Sequence, residues 1–309
     1  MPLTYTVVIP TYNQADYLRE ALRTVLNQTF EDFEIIVVDN YSQDHTLEVI
    51  ERITDTRLRT IKFKNDGVIA ASRNVGINES NGNYIAFLDS DDLWSPTKLS
   101  TIYKAIQAEP QHCVYTHDYQ IVTPNKLRKY VTSQPNPKSK LDLYNYLLMK
   151  GNTLSTSATI VRRDALSRTG GFSESPDLIT VEDYDLWMKL SRYCTFKFLD
   201  ENLGSVLRHP TNASANVELH LQNTKHVFNI HLSLLKQDQY ISVSKEAWRL
   251  ADITYGAGRQ YHHQNKLKLA VRSYIQAIKI YPFHLKTYAG IVALLPKLLS
   301  NPHQCKTTS

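Results

Sequence analysis

The chain has 309 residues, 42% of them hydrophobic, a net charge of +5 and a pI of about 8.9. That length supports one large core or two modest ones, and the mild basicity suits anionic substrates or a membrane surface while being too weak to point to nucleic acid. The three cysteines, Cys113, Cys194 and Cys305, are odd in number, far apart and without metal-ligand spacing, which fits a reduced compartment.

Met1 to Tyr5 leads straight into a strand, so no signal peptide is expected. No apolar run reaches the roughly 18 residues of a spanning helix. Tyr5–Pro10 reads as a buried parallel-type strand stopped by Pro10. Thr11, Tyr12 and Asn13 form the following loop. Ala15–Leu26 reads as a helix with Leu18, Leu22, Val25 and Leu26 on one face. Phe33–Asp39 is the second strand and ends in an acid. Asp44 is placed to cap a helix running to about Arg52. A strand over Leu58–Phe63, a turn at Asn65-Asp66-Gly67, a helix over Ala70–Asn78 and a strand over Tyr84–Leu88 follow. This alternation predicts an open, mostly parallel sheet with flanking helices.

The fourth strand runs into Asp89-Ser90-Asp91-Asp92. Three carboxylates in four residues repel one another unless positive charge sits among them. One reading is that Asp91, with Asp89, holds Mg²⁺ or Mn²⁺, which grips a substrate diphosphate. The other is a solvated acidic turn in which Asp92 caps a helix starting near Pro96. Ligands of such sheets bind beyond the carboxyl ends of the strands, where Thr11, Asp39 and the Asp89/Asp91 pair all fall. No G-x-G-x-x-G follows the first strand and no G-x-x-x-x-G-K-[ST] occurs, which argues against dinucleotide enzymes and P-loop NTPases.

Val7-Val-Ile-Pro-Thr-Tyr-Asn13, Ile36-Val-Val-Asp39, Ala71-Ser-Arg-Asn-Val-Gly76 and Phe87-Leu-Asp-Ser-Asp-Asp-Leu-Trp94 resemble, in order and spacing, the successive blocks of family 2 glycosyltransferases with the GT-A fold. The resemblance implies an inverting enzyme that uses a nucleotide-diphosphate sugar, a UDP-sugar foremost, and Mn²⁺ or Mg²⁺. It places Asp39 on the nucleobase, Thr11 against the nucleoside, Arg73 on the nucleotide, Asp89 on ribose and Asp91 on the metal. Pro10, Tyr12, Asn13, Asp66 and Ser90 complete the implied substrate-binding set. Taken singly, Asp39 as a turn cap and Arg73 as a solvated helix residue are equally good readings; jointly they lose to the block order.

A helix over Pro96–Ala108 precedes an alternating strand, Cys113–Ile121, which contains His117 and Asp118 and is expected to have one solvated face. Residues 123–140 are polar, basic and Pro-containing and read as a loop. A strand ending at Arg162, a helix over Arg163–Arg168 and a turn at Gly170-Gly-Phe172 lead to Val181-Glu-Asp-Tyr-Asp-Leu-Trp187. Glu182 and Asp183 suit a helix start on dipole grounds alone. Gly-Gly-Phe followed by Glu-Asp-x-Asp-Leu also resembles the family's acceptor-side motif, in which the second acid, here Asp183, is the general base and Glu182 contacts the acceptor. Ser173 departs from the acidic residue frequent after Gly-Gly-Phe; Glu174 stands next to it. Strands over Thr195–Leu199 and Gly204–Arg208 lead to His209, which taken alone reads as polar surface and by its place in the block order resembles a residue that completes the metal or diphosphate site with Asp91.

From Val217 the composition turns helical: helices over 217–240, Lys245–Tyr261 and Lys266–Tyr281, and an amphipathic tail, Leu285–Leu299. The middle pair resembles one tetratricopeptide-like hairpin, too few for a solenoid. The expectation is a GT-A domain over 1–216, its nucleotide half 1–95 and its acceptor half 96–216, with a helical extension over 217–309. The acceptor implied is a glycan or lipid-linked glycan, in a cytoplasmic setting at the inner membrane face; the amphipathic tail reads either as peripheral membrane contact through the C-terminal region or as a packed terminal helix. A non-catalytic scaffold of the same fold is the alternative. A haloacid-dehalogenase-type phosphatase is disfavoured because its D-x-D follows the first strand.

Overall fold

The computed structural model describes residues 3–123, 128–131, 139–209 and 215–300, in two units, 1–212 and 213–309. In the first unit, strands β1 (Tyr5–Thr11), β2 (Phe33–Asp39), β3 (Leu58–Lys62) and β4 (Tyr84–Phe87) alternate with helices α1 (Ala15–Leu26), α2 (Thr46–Glu51) and α3 (Ile69–Asn78). These four strands are parallel, in the order β3-β2-β1-β4. Every residue of β1 and β2 is buried, as strands covered on both faces require. Val7, Ile9, Ile35 and Val37 form one core with Leu18, Leu22 and Val25 of α1.

Pro10 does not stop β1, which continues through Thr11. Leu88 N–H donates to Val8 O, so Val8, and with it Pro10, faces the β4 side. Pairing with β4 ends at Val8, so the missing N–H of Pro10 falls where no ladder partner is needed.

Beyond β4 the sheet becomes mixed. It continues through β8 (Thr159–Arg162), β6 (Val114–Val122), β9 (Phe196–Leu207) and β5 (Leu93–Trp94), with β7 (Arg128–Val131) on β6. Helices α4 (Lys98–Ala108), α5 (Lys140–Lys150), α6 (Arg163–Thr169) and α7 (Glu182–Tyr193) complete the unit. Three expectations change here. The amino half of β6, Val114–Asp118, is buried throughout rather than solvated on one face, because it lies between β8 and β9. The two late strands are one, β9, whose polar Asp200-Glu201-Asn202 stretch is absorbed as a register shift opposite His117 and Asp118. The basic loop contains β7 and runs into α5, capped by Ser139 Oγ accepting from Asp142 N–H; its residues 124–127 and 132–138 lie outside those described.

The second unit is helical: α8 (Val217–Asp238), α9 (Val243–His263), α10 (Leu267–Ile280) and α11 (Leu285–Ser300). α9 and α10 pack closely because Gly258 leaves room for the Tyr274 ring, which an added Cβ would meet at 2.5 Å.

Candidate active site

The chain leaves β1 toward β2 and β3 and returns on its other side as β4, so a crevice opens at the carboxyl ends of β1, β2 and β4. Thr11 and Asp39 are register partners at its rim. Asp39 is fully buried and accepts from Ser42 N–H at 3.2 and 3.3 Å, so it does serve the following turn. Thr11 Oγ1 is buried without a hydrogen-bond partner among the described residues.

Beside this rim, Tyr12, Asn40, Tyr41, Gln43, Lys64 and Asp66 line a cavity of about 430 Å³. Three non-glycine residues around it, Asn13, Tyr41 and Asp66, have left-handed backbone (φ 50°, 56° and 50°). Such conformations persist where surrounding contacts hold them. Asn13 supplies two: its N–H donates to Ser42 Oγ at 2.9 Å and its Oδ1 accepts from Gln43 N–H at 2.7 Å. Two exposed tyrosines thus flank an open slot suited to a planar base.

The acidic turn sits on a built platform. Ser157 Oγ accepts from Asp89 N–H at 3.0 Å and bonds the Asp92 carboxyl, and Ser157 O accepts from Trp94 Nε1 at 2.8 Å and Lys98 Nζ at 2.5 Å. Lys98 is fully buried, 3.7 Å from the Trp94 ring centroid; burial drives its pKa well below the usual range, with Asp92 opposing. Asp92 does not cap α4. It is buried, accepts from Leu207 N–H at 2.9 Å, and its pKa is raised by burial, then by Asp91 and Asp89. Ser90 is buried and bonds Gln14 Oε1. Asp91 Oδ2 lies 2.8 Å from His209 Nε2, and the His209 ring stacks on Tyr17 at 4.9 Å. Burial and Asp89 raise the Asp91 pKa while His209 lowers it. Residues 210–214 after His209 lie outside those described. Among the described residues, no group of three or more His, Cys, Asp or Glu side chains is gathered for a metal.

Arg73 joins the two halves of the site. It is buried, with one guanidinium nitrogen 2.7 Å from Asp89 Oδ1 and the other 2.6 Å from Glu182 Oε1. Burial works against its charge, but Asp89 and Glu182 outweigh it and raise its pKa. It also lies over the Phe172 ring at 5.2 Å. The neighbouring Asn74 pins the Gly-Gly-Phe turn: Oδ1 accepts from Phe172 N–H and Nδ2 donates to Phe172 O and Glu174 Oε1. Gly171 has φ +70°, and a Cβ there would lie 2.6 Å from Asn74 Oδ1, so the position needs glycine.

Glu182 and Asp183 open α7, just after Thr180, whose φ of +74° is rare for a β-branched residue. Glu182 Oε2 is buried with no hydrogen-bond partner among the described residues. Asp183 accepts from Asn152 Nδ2 at 2.9 Å and Tyr184 N–H at 2.7 Å. Burial, then Glu182, pushes its carboxyl up to about 7, against Arg73 and these two donors. Asp185 pairs with Lys189 at 2.6 Å. His117 and Asp118 are buried in β6, His117 Nδ1 against Asp118 O at 2.7 Å.

Thus Asp89, Arg73 and Glu182 form one connected cluster, Asp91 and His209 a pair, and Tyr12 and Asp66 share a cavity. Ser157, Lys98, Asn152 and Tyr41 are site residues that the sequence did not single out. Only Tyr41 carried a signal, its place two residues after Asp39.

The family model for glycosyl transferase family 2 matches residues 6–170, just over half of the chain. The UDP-Glc:alpha-D-GlcNAc-diphosphoundecaprenol beta-1,3-glucosyltransferase WfaP of Escherichia coli is 31% identical over 60% of this chain and 69% of its own length. The hyaluronan synthase of Pasteurella multocida is 29% identical over 75% of this chain, which spans only 23% of that protein. Among solved structures, S. aureus TarS 1–349 in complex with UDP superposes with a TM-score of 0.62 at 20% identity, covering 99% of this chain and 93% of that one. The mannosyltransferase PcManGT of Pyrobaculum calidifontis, in complex with GDP-Man and Mn²⁺, gives 0.58 at 17% identity, covering 99% and 83%. The fold is therefore GT-A, and the chain belongs to glycosyl transferase family 2 and is a glycosyltransferase.

Proposed function

We propose that this chain transfers a sugar from a nucleotide-diphosphate sugar, a UDP-sugar foremost, to an acceptor hydroxyl with inversion, in the assembly of a polysaccharide or lipid-linked glycan. The observation that carries this reading is the Arg73 bridge, which ties the acidic turn after β4 to the acidic start of α7. The WfaP relative, whose name carries a UDP-sugar and a diphosphoundecaprenol acceptor, and the UDP complex of TarS support the choice of donor and acceptor.

In this reading the base lies between Tyr12 and Tyr41 beside Asp39, whose carboxylate accepts from a base N–H. Asp89, held by Arg73, accepts from ribose hydroxyls. Asp91 and His209 offer an oxygen and a nitrogen donor 2.8 Å apart, a set that suits Mn²⁺ or Mg²⁺ with diphosphate oxygens and water as further ligands. Once bound, the ion stabilises charge on the departing diphosphate. Asp183 takes the acceptor proton as the new bond forms: its carboxyl titrates close to neutral pH, where a general base works best. Glu182 is fixed through one oxygen by Arg73, and the other, Oε2, is turned to the acceptor. A single displacement needs one base and no covalent intermediate, so in this reading Asp183 takes the proton and Glu182 only positions the acceptor.

Calorimetric titration of UDP, GDP and dTDP with and without Mn²⁺ tests this, on the wild type and on Asp91→Ala. UDP binding that requires the ion and vanishes in Asp91→Ala is the expected result. Failure of every nucleotide to bind with any divalent ion would overturn the donor assignment.

A further inference from the structure

Helix α11 is apolar on nearly all sides. Thr287, Gly290 and Leu294 form its buried arc against α9 and α10. A helix of this kind is ordinarily covered all round, yet its opposite arc is exposed: Leu285 (79%), Tyr288, Val292 (63%) and Leu295, at spacings of three, four and three. Phe283, just before it, is 78% exposed. From Ala289 to Pro296 the sequence has no polar residue, and Lys286 and Lys297 stand at either end. A contiguous exposed apolar strip on a protein marks a contact surface.

The charge around it selects the partner. From Ile253 to Ser309 the sequence has eight Lys and Arg and no Asp or Glu. Lys268, Arg272 and Lys279 are exposed on α10, interspersed with the exposed Leu269 and Ile275. A second copy of this chain would bring two such cationic surfaces together, which is repulsive. An anionic bilayer answers both features, taking the apolar arc between its headgroups while the exposed Arg272 and Lys279 of α10 meet phosphates; Lys286 is held by Asp252 at 3.2 Å.

We propose that the outer faces of α10 and α11 form a docking surface for a membrane rich in anionic lipids. The surface stands independently of the transfer reading, although a lipid-borne acceptor would lie in the same plane.

Co-sedimentation of the full chain with vesicles of phosphatidylcholine, with or without phosphatidylglycerol, tests it. Binding is expected only to the anionic vesicles and is expected to fall as salt rises. Leu285→Glu with Val292→Glu, both at exposed positions, abolish it with unchanged circular dichroism. Lys268→Gln and Arg272→Gln, which leave the apolar arc intact, each weaken it about fivefold. Equal binding to neutral and anionic vesicles, or none to either, overturns the proposal. So does a dimer in solution that Val292→Glu dissociates, which would assign the face to a second copy. UDP binding by the same samples is the control: its loss with vesicle binding retained would count against the transfer reading and leave this one standing.

Discussion

Arg73 has both terminal nitrogens engaged by carboxylates, and Nε is buried without a partner among the described residues. Removing the guanidinium leaves Asp89 and Glu182 facing each other without their cation. Breaking a buried pair in this way costs about 3–5 kcal/mol, so Arg73→Met is expected to lower the unfolding free energy extrapolated from urea denaturation by that amount. Arg73→Lys recovers only part of it, because an ammonium cannot span both carboxylates as the planar fork does. Asp183 gives a second test at this scale. A base must be ionised to accept a proton, and burial beside Glu182 has moved its titration to about 7. The transfer rate at saturating donor is therefore expected to climb with pH below that value, about tenfold per unit, and to level above it. Asp183→Asn should remove the limb and cut turnover by about 10²–10⁴ with donor binding kept.

At the scale of elements, α3 lies directly on β1 because Gly76 has no side chain: a Cβ there would stand 2.4 Å from Val8 Cγ1. Gly76→Ala must push the helix off the strand, and an overpacked core of this kind loses about 1–3 kcal/mol; thermal melting is the measurement. The parallel half of the sheet was legible in the sequence. β2 and α1 begin and end where the apolar runs of Phe33–Asp39 and Ala15–Leu26 do, because strands and helices that bury a full face show their period directly. The mixed half was less so. β5 is two residues long and exists through pairing with β9, far away in sequence, which no local pattern records; β7, four residues long, pairs with the adjacent β6 but falls in a polar, basic stretch without an apolar alternation to mark it. The site divides in the same way. Acids that end strands, Asp39 and Asp89 to Asp92, announce themselves as charge where an apolar run stops. Ser157, Lys98 and Asn152 act through contacts 30 to 70 residues away in sequence, and a lysine in the first turn of α4 looks like any solvated one until Trp94 and Ser157 are seen to enclose it.

Over the whole molecule, the two units have separate interiors. Leu294, fully buried, belongs to the helical unit. Leu294→Ala is expected to cost about 2–5 kcal/mol there while leaving the calorimetric affinity for UDP unchanged. Among the described residues no helix is long and apolar enough to cross a membrane.

The Arg73 bridge also constrains how such enzymes can be recombined. Chimeras that join the parallel half of this unit to the mixed half of a relative cut between α3 and α7. Such a graft inherits a guanidinium that expects a carboxylate at the first position of the incoming helix. Donors of the grafted half that begin this helix with Glu should give folded hybrids, and those that begin it with a neutral residue should need Arg73 changed in the same step.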